Sequence, residues 1–530
     1  MSSPPPRWAA TAAAAVACSA FALWDPPVRD LAAHTFRAEL FEQAGFAIWN
    51  NSWYGGHYVL SYSVLFAPLA ALLTPVWAAA LAAVVSAWLF DGLARDRWGP
   101  AAGWAALWFG ALGAVALLAN GWLVFALGVA FGLGALRALQ GGRRGLAVAL
   151  AAATPLASPV AAAFLALIGA GAWLAGGAGR RLWWLVAVPL VPLAVLGLLF
   201  PEAGEFPFWF SAWWPLGLFC ALALLATRGI DTERDVWTVG LLYLSVATLA
   251  WIAPNPLGGN LTRLGSLFGG PVLLAILLAR SPARLRAPVA IGALVVGLCW
   301  QVITPLPDTF QSLGDPSTER SYYAPLKAWL SARGAERERI EIPYTFNHWE
   351  TAYVSPRFSL ARGWLRQLDL ERNSLFYEGT LTHARYRRWL SHNAIRWVAA
   401  SDARLDYSAQ EEDDLVRTQP PYLRLRATLG HWRVYEVRGA GRMVTALGGG
   451  RATLARLEPG FFELAVTRPG TFLVRVRHTP YWQAPDGACV RRAGDWTVVR
   501  AQRSGTVRVS ARMSAARGWR AAVGSDRGCR

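Results

Sequence analysis

The stretch that decides how this chain is organised, residues 25–63, reads DPPVRDLAAHTFRAELFEQAGFAIWNNSWYGGHYVLSYS. It follows one apolar segment and precedes many others, and no stretch of this length between those segments is richer in polar groups. Its ionisable and amide side chains stand among tryptophans and tyrosines: Asp30, His34, Arg37, Glu39, Glu42, Asn50, Asn51 and His57. Functional residues concentrate in connecting segments, so the stretch predicts an active-site loop at a membrane surface.

Composition divides the chain at about residue 305. The 530 residues are 55% hydrophobic, but residues 8–305 are a series of apolar runs, whereas residues 306–530 resemble ordinary soluble sequence. Apolar runs of about 20 residues match the thickness of a bilayer, and their lack of alternation predicts helices rather than a barrel. The net charge of +18 has a topological use in the loops, so nucleic acid is not predicted as a partner.

Eleven membrane spans are predicted, at 8–24, 76–94, 100–118, 121–138, 145–157, 159–178, 182–200, 213–227, 236–253, 264–280 and 288–305. Arginines then cluster in alternate loops, which predicts that those loops and the N-terminus are cytoplasmic and that residues 306–530 are outside. This count requires residues 58–74 to form a half-inserted or surface helix that ends at Pro75. The first span is interpreted as an uncleaved signal anchor.

Three domains are predicted: a helical membrane domain at 1–305, an extracytoplasmic α/β domain at 306–440 and an extracytoplasmic β-sandwich-like domain at 441–530. Alternating apolar residues predict strands in the last domain, such as 461–466 and 506–510. Cys489 and Cys529 lack the spacing of a metal site, and either a disulfide or two thiols is consistent with the sequence.

The opening stretch contains the first candidate site. If residues 29–43 are helical, Asp30, His34 and Arg37 share one face. A carboxylate there can act as the general base that deprotonates an acceptor hydroxyl, and the alternative role of Asp30 is a helix N-cap. His34 is interpreted as a catalytic partner that orients the acceptor, and its alternative roles are binding a phosphate oxygen or, with Asp30, a metal ion. Arg37, Trp53 and His57 are predicted to contact substrate.

Three further groups are predicted to bind substrate. Arg263, with Asn260 before it, stands at a predicted outer membrane edge, where a guanidinium can bind a lipid phosphate or can instead snorkel. Glu202 and Glu205 lie among aromatic rings that form either a sugar platform or an interfacial belt. His348 and Arg362 belong to a polar segment that either closes over the site or only packs. No metal site is predicted.

The order of these features resembles the GT-C superfamily of polytopic glycosyltransferases. The resemblance rests on a first span, an acidic outer loop, surface helices, many further spans and an outer C-terminal domain. Residues 60–98, which end in Arg95-Asp96-Arg97, are similar to the matching region of bacterial mannosyl- and aminoarabinosyl-transferases. Residues 322–437 are also similar to membrane proteins related to 6-pyruvoyl-tetrahydropterin synthase, although no zinc site of that enzyme is present.

The GT-C resemblance implies an inverting transfer from a polyprenyl-phosphate sugar to a glycan, lipid or protein acceptor on the outer face of a bacterial plasma membrane. It implies an acidic base in the first outer loop, which matches Asp30 or, less well, Asp25. Family members differ in their need for metal, so a divalent cation stays open and no other cofactor is expected. A lipid or glycan transporter and a non-catalytic scaffold with a glycan-binding outer domain are the alternatives.

Overall fold

The computed structural model describes residues 3–202, 204–280 and 286–523. Within this part of the chain, seven helices are long and apolar enough to cross a membrane: Pro75–Trp98, Pro100–Ala119, Leu123–Gln140, Gly179–Leu199, Phe210–Thr227, Arg234–Ile252 and Gly258–Ala279. Four shorter apolar helices are Ala9–Trp24, Arg144–Ala157, Pro159–Ala175 and Ala287–Ile303. The chain is therefore a multi-pass membrane protein, as predicted, and the count of eleven crossings stays a prediction.

The region predicted not to cross contains only the eight-residue helix Phe66–Leu73. At 1.5 Å per residue such a helix is about 12 Å long, well short of the hydrocarbon layer. Pro75 begins the next long helix. Proline is tolerated there because the N–H group that it lacks would make no hydrogen bond within the helix at the first position. The short helix agrees with the surface-helix interpretation of residues 58–74.

The chain packs into two compact units. The first contains Met1–His34, Tyr62–Val195 and Glu205–Leu313, and the second contains Thr35–Ser61, Leu196–Gly204 and Gly314–Arg530. The division falls inside two continuous helices, Leu31–Ala44 and Trp184–Leu199. Two segments from the apolar half of the sequence therefore fold as part of the second unit, and the domain borders predicted at 305 and 440 stay predictions.

One layer of the second unit is a five-stranded mixed sheet. Its spatial order is Ser359–Leu360, Arg339–Glu341, Ile395–Ser401, Trp432–Val437 and Leu423–Leu429. The first three strands are parallel, and Trp432–Val437 is antiparallel to both of its neighbours. Its neighbouring helices are Ala324–Ser331, Glu350–Tyr353, Arg366–Arg372, His383–His392 and Gln410–Arg417. This mixture of helices and strands agrees with the α/β character predicted for residues 306–440.

Residues 444–511 form two four-stranded antiparallel sheets. The first has the order Trp482–Gln483, Gly505–Ala511, Phe461–Arg468 and Arg451–Glu458, and the second has the order Ala488–Ala493, Trp496–Ala501, Gly470–Arg477 and Val444–Ala446. Inward side chains of both sheets share one hydrophobic core, as in a sandwich. Cys489 is disulfide-bonded, and Cys529 lies outside the described residues.

The segment 35–61 is built into this second unit by backbone and side-chain contacts. Trp49 belongs to the sandwich core, and its indole N–H donates to Asn51 at 2.9 Å. The Asn51 amide donates to the carbonyl groups of Glu458 at 2.8 Å and Phe461 at 3.1 Å. The polar residues at 50–51 thus hold the loop to the sandwich.

Candidate functional site

Asp30 lies directly before the helix Leu31–Ala44 and is 9% exposed. Gly121, in the turn between two membrane helices, packs against the backbone of Asp30. Gly121 adopts φ +70°, and a Cβ atom there would lie 2.9 Å from the Asp30 nitrogen. Asp25 is exposed and ends the first helix in a left-handed conformation. Of the two predicted bases, only Asp30 is held in a packed site.

His34 stands one turn after Asp30 and is 1% exposed. Its ring stacks on Tyr62 with 6.3 Å between ring centroids, and it meets the edge of Phe66 at 5.4 Å. The start of the short helix Phe66–Leu73 therefore fixes the imidazole beside a phenol. Tyr62 is a site residue that sequence reasoning missed.

Arg263 is held by two aromatic faces in the same unit. Its guanidinium carbon lies 5.0 Å from the centroid of the Trp122 ring and 5.4 Å from that of Phe125. Tyr62 and Asp30 are close enough to act on the guanidinium electrostatically. Stacking occupies the faces of a guanidinium and leaves its N–H groups at the rim, where they can bind an oxyanion.

The helix that carries Arg263 is irregular. A 3₁₀ turn at Gly258–Leu261 precedes Arg263, and a π-helical turn at Gly265–Gly269 follows it. The Tyr243 hydroxyl donates to the Leu261 carbonyl at 2.5 Å and accepts from the Gly265 N–H at 3.2 Å, which satisfies groups that a regular helix would pair internally. Such π-turns occur frequently at functional sites.

An apolar cavity of about 490 Å³ lies between the membrane helices of this unit. Arg97, Glu233 and Asp235 line one part of it, and Leu264 and Gly265, the residues after Arg263, line another. Most of its wall is hydrocarbon, including Phe90, Leu133, Ile168, Phe219, Leu273 and Ile276. A cavity of this size and lining suits an apolar chain whose polar end lies near Arg263.

Other predicted contacts form a polar cluster inside the second unit. The backbone N–H of Tyr58 donates to Glu202 at 2.6 Å, and the Ser61 hydroxyl donates to the same carboxylate at 3.3 Å. Burial raises the pKa of Glu202 to about 6, and the guanidinium of Arg372, 3.9 Å away, opposes this rise. Glu202 therefore fastens the segment Leu196–Gly204 to the end of the opening stretch.

His57 and Trp53 lie in the interior of the same unit. The His57 ring nitrogens are 3.1 Å from the Asn50 amide and 2.9 Å from the Tyr58 carbonyl. Burial lowers the pKa of His57 to about 3, so its ring is neutral at physiological pH. Trp53 stacks on His57 at 5.2 Å, and Arg37 acts electrostatically on His57.

Arg362 occupies the centre of a buried ionic network and is 1% exposed. It donates to Asp369 at 2.7 Å and to Glu412 at 3.2 Å. The rings of Tyr344 and Phe376 lie 3.9 Å and 4.1 Å from its guanidinium carbon. These contacts account for Arg362 as a stabilising residue of the α/β layer.

His348 lies in the same interior, at φ +57°. Its Nε2 is 3.4 Å from Asp406, which Arg366 also binds at 2.7 Å. The remaining predicted contacts, Glu205 and Asn260, belong to the first unit, where the Phe206 N–H donates to the Asn255 carbonyl at 3.0 Å. Glu202 and Glu205, predicted as one pair, therefore fall in different units.

The predicted residues that share one site in the first unit are Asp30, His34 and Arg263, and the structure adds Tyr62, Gly121 and Trp122. The Asn120-Gly121 dipeptide is a turn signal that sequence reasoning could have used, because it separates two apolar runs. Among the described residues, no group of three or more His, Cys, Asp and Glu side chains could hold a metal ion.

The sequence matches no protein-family profile and no curated protein. The structure is similar to that of the arabinofuranosyltransferase AftD from Mycobacteria, with 15% identity, a TM-score of 0.47, and coverage of 97% of this chain and 58% of that one. A mutant form of AftD gives 15% identity and a TM-score of 0.49, with 97% and 60% coverage. ArnT from Cupriavidus metallidurans in the apo state gives 12% identity and a TM-score of 0.38, with 77% and 93% coverage.

The chain spans about three fifths of the length of the AftD chains that it matches. The resemblance of residues 322–437 to pterin-synthase-related proteins stays a prediction.

Proposed function

We propose that the chain is an integral membrane glycosyltransferase. It takes a sugar from a polyprenyl-phosphate donor and transfers it, with inversion, to an acceptor on the outer face of a bacterial plasma membrane. One observation supports this proposal most: a packed carboxylate, Asp30, lies within electrostatic range of an aromatic-held cation, Arg263. The apolar cavity whose wall includes the residues after Arg263 supports a lipid-linked donor.

Asp30 acts as the general base. It takes the proton of the acceptor hydroxyl as that oxygen forms a bond to the anomeric carbon, and the bond from this carbon to the phosphate oxygen breaks. A single displacement from the opposite face inverts the anomeric centre. His34, held against Tyr62, orients the acceptor. A base in this position is expected to contribute about 10²–10⁴-fold to the rate.

Arg263 binds the phosphate of the donor and stabilises the charge that grows on it as the sugar leaves. Its N–H fork fits two phosphate oxygens, while Trp122 and Phe125 keep the side chain oriented. The polyprenyl chain occupies the apolar cavity, where hydrocarbon contacts hydrocarbon. The predicted substrate contacts of the second unit are Arg37, Trp53, His57, Glu202, His348 and Arg362, and those of the first unit include Glu205 and Asn260.

A transfer assay in membranes tests the proposal with a panel of polyprenyl-phosphate sugars. Asp30→Asn is expected to lower kcat by about 10²-fold or more. Asp25→Asn is the matched control, because Asp25 is an exposed carboxylate in the same loop, and it is expected to keep most of the activity. Full activity of Asp30→Asn would rule out Asp30 as the base.

The alternatives give different results. A transporter predicts movement of the lipid-linked sugar between leaflets without any new glycosidic bond. A non-catalytic scaffold predicts no turnover with any donor and an unchanged phenotype in cells that carry Asp30→Asn. Formation of a product whose anomeric configuration is inverted, and its loss in the Asp30 variant alone, excludes both.

A further inference from the structure

The last described helix, Ala515–Val523, presents an unusual surface. Its two buried residues, Gly518 and Ala521, face the interior of the second unit. Trp519 is 70% exposed and Val523, one turn later, is 48% exposed. Residues four apart share a face of a helix, so a large apolar strip points away from the unit.

The contacts of this helix set its depth in the membrane. A Cβ atom on Gly518 would lie 3.2 Å from the side chain of Leu199, so the helix backbone rests on that residue. Leu199 is the last residue of the apolar helix Gly179–Leu199, which is long enough to cross the membrane. The Tyr481 hydroxyl donates to the Leu199 carbonyl at 2.7 Å and fixes the same point. A helix that rests on the end of a span lies at the level of the lipid head groups.

Three arginines lie in this helix or shortly before it. Arg512 and Arg520 are the charged neighbours that, with burial, lower the pKa of Arg517. Residues 512–523 contain no aspartate or glutamate. Mutual repulsion of this kind is relieved when anionic groups bind between the guanidinium groups.

We propose that the helix Ala515–Val523 lies in the interfacial layer of the membrane and binds anionic phospholipid head groups through Arg512, Arg517 and Arg520. Trp519 and Val523 enter the boundary between head groups and acyl chains, the place where tryptophan is enriched in membrane proteins. The arginines bind the lipid phosphates on either side. The helix thereby ties the second unit to the leaflet in which Leu199 ends.

A spin label on the exposed helix tests this proposal in the full-length protein. Ala516→Cys places a nitroxide one turn before Arg520, in a background where the exposed Cys299 is replaced by alanine. The protein is reconstituted in vesicles of phosphatidylcholine alone and of phosphatidylcholine with 30% phosphatidylglycerol, about a physiological anionic fraction. Accessibility of the label to oxygen, which enters lipid, is compared with accessibility to a water-soluble nickel chelate.

We expect the ratio of oxygen to nickel accessibility to rise about fivefold or more when phosphatidylglycerol is present. The triple change of Arg512, Arg517 and Arg520 to glutamine should abolish that rise. The same change at the exposed Arg424, Arg468 and Arg503 removes equal charge and should leave it intact. Thermal unfolding checks that both triple variants are folded. If the variant of Arg512, Arg517 and Arg520 is not folded, the comparison of the two vesicle compositions with the unsubstituted helix tests the proposal by itself.

Three results would overturn the proposal. The label could be equally accessible to the nickel chelate in both vesicles, which means that the helix stays in water. It could enter lipid to the same extent in both, which means that head-group charge has no part. It could be protected from both agents in a concentration-dependent way, which means that a second copy of the chain covers the helix.

Discussion

Gly121→Ala tests whether the turn that packs against Asp30 positions the base. The change has two costs. A side chain at φ +70° destabilises the backbone by about 1–2 kcal/mol. The new Cβ would also lie 2.9 Å from the Asp30 nitrogen, and ordinary contact begins at 3.4 Å, so Asp30 must move by about 0.5 Å. Since a 1 Å misplacement can cost about 10²-fold, we expect kcat/KM to fall about tenfold.

Gly142→Ala is the matched control for this change. Gly142 has nearly the same φ, +73°, but a Cβ atom there would meet nothing within 4 Å. Both variants should therefore lose the backbone contribution of about 1–2 kcal/mol in thermal unfolding, and Gly121→Ala should lose somewhat more because of its close contact. Only Gly121→Ala should lose transfer activity. The assay is steady-state transfer from a polyprenyl-phosphate sugar, with product measured by mass spectrometry and kcat and KM determined separately.

The double variant with Asp30→Asn shows whether Gly121 acts through Asp30. If it does, adding Gly121→Ala to Asp30→Asn should cause no further loss of kcat, because residues that act as a unit are not additive. Equal activity of the Gly121 and Gly142 variants would refute the positioning argument. An independent tenfold loss in the double variant would assign the effect of Gly121 to a general disturbance of the turn.

Arg263→Lys keeps the positive charge but loses the planar guanidinium fork. We therefore expect KM for the lipid donor, measured by steady-state kinetics, to rise by about tenfold, which is the equivalent of one charge-assisted hydrogen bond. A KM unchanged from wild type would exclude Arg263 from phosphate binding. Arg362→Met should destabilise the second unit by about 3–5 kcal/mol in thermal unfolding, because it leaves buried carboxylates without their cation. The same change at Arg357, whose ion-paired side chain is 58% exposed, should cost about 0–1 kcal/mol, and equal costs would contradict the network. Burial raises the pKa of Glu350 from 4.5 to about 8, so the folded state keeps a proton that the unfolded chain releases. The contribution of Glu350 to folding stability is fully present below pH 4.5 and is lost as the pH rises through 8. Glu350→Gln should therefore make Tm decline less steeply between pH 4.5 and 8. An unaltered slope would show that other groups cause the decline of Tm.

The local structure of the chain follows closely from its sequence. The predicted strands at 461–466 and 506–510 lie within the observed strands Phe461–Arg468 and Gly505–Ala511. Each predicted span also coincides with an apolar helix. These elements follow from the periodicity and length of apolar runs, which depend only on neighbouring residues.

The candidate site followed from the sequence only in part. Asp30, His34 and Arg263 were predicted because ionisable residues at membrane edges are costly and usually have a function, and the structure places them in one unit. Tyr62 and Gly121 were not, since a tyrosine in an apolar segment and a glycine in a turn have no local signature of catalysis. The substrate contacts of Trp53 and Arg362 stay predictions, and the sequence did not predict that Trp53 donates to Ser355 at 2.8 Å or that Arg362 lies in a buried ionic network.

The opening stretch shows most clearly what each level decides. Its sequence alone predicts a polar loop after a membrane helix, because the contrast in hydropathy is local. Only the tertiary structure divides that loop, so that Asp30 and His34 pack with membrane helices while Thr35–Ser61 joins the sheets of the second unit. The hydrogen bond from the Leu360 N–H to the Ser52 carbonyl joins residues about 300 positions apart. Such pairing depends on complementary surfaces that meet only after folding, so the hydrophobic periodicity of either segment does not predict it.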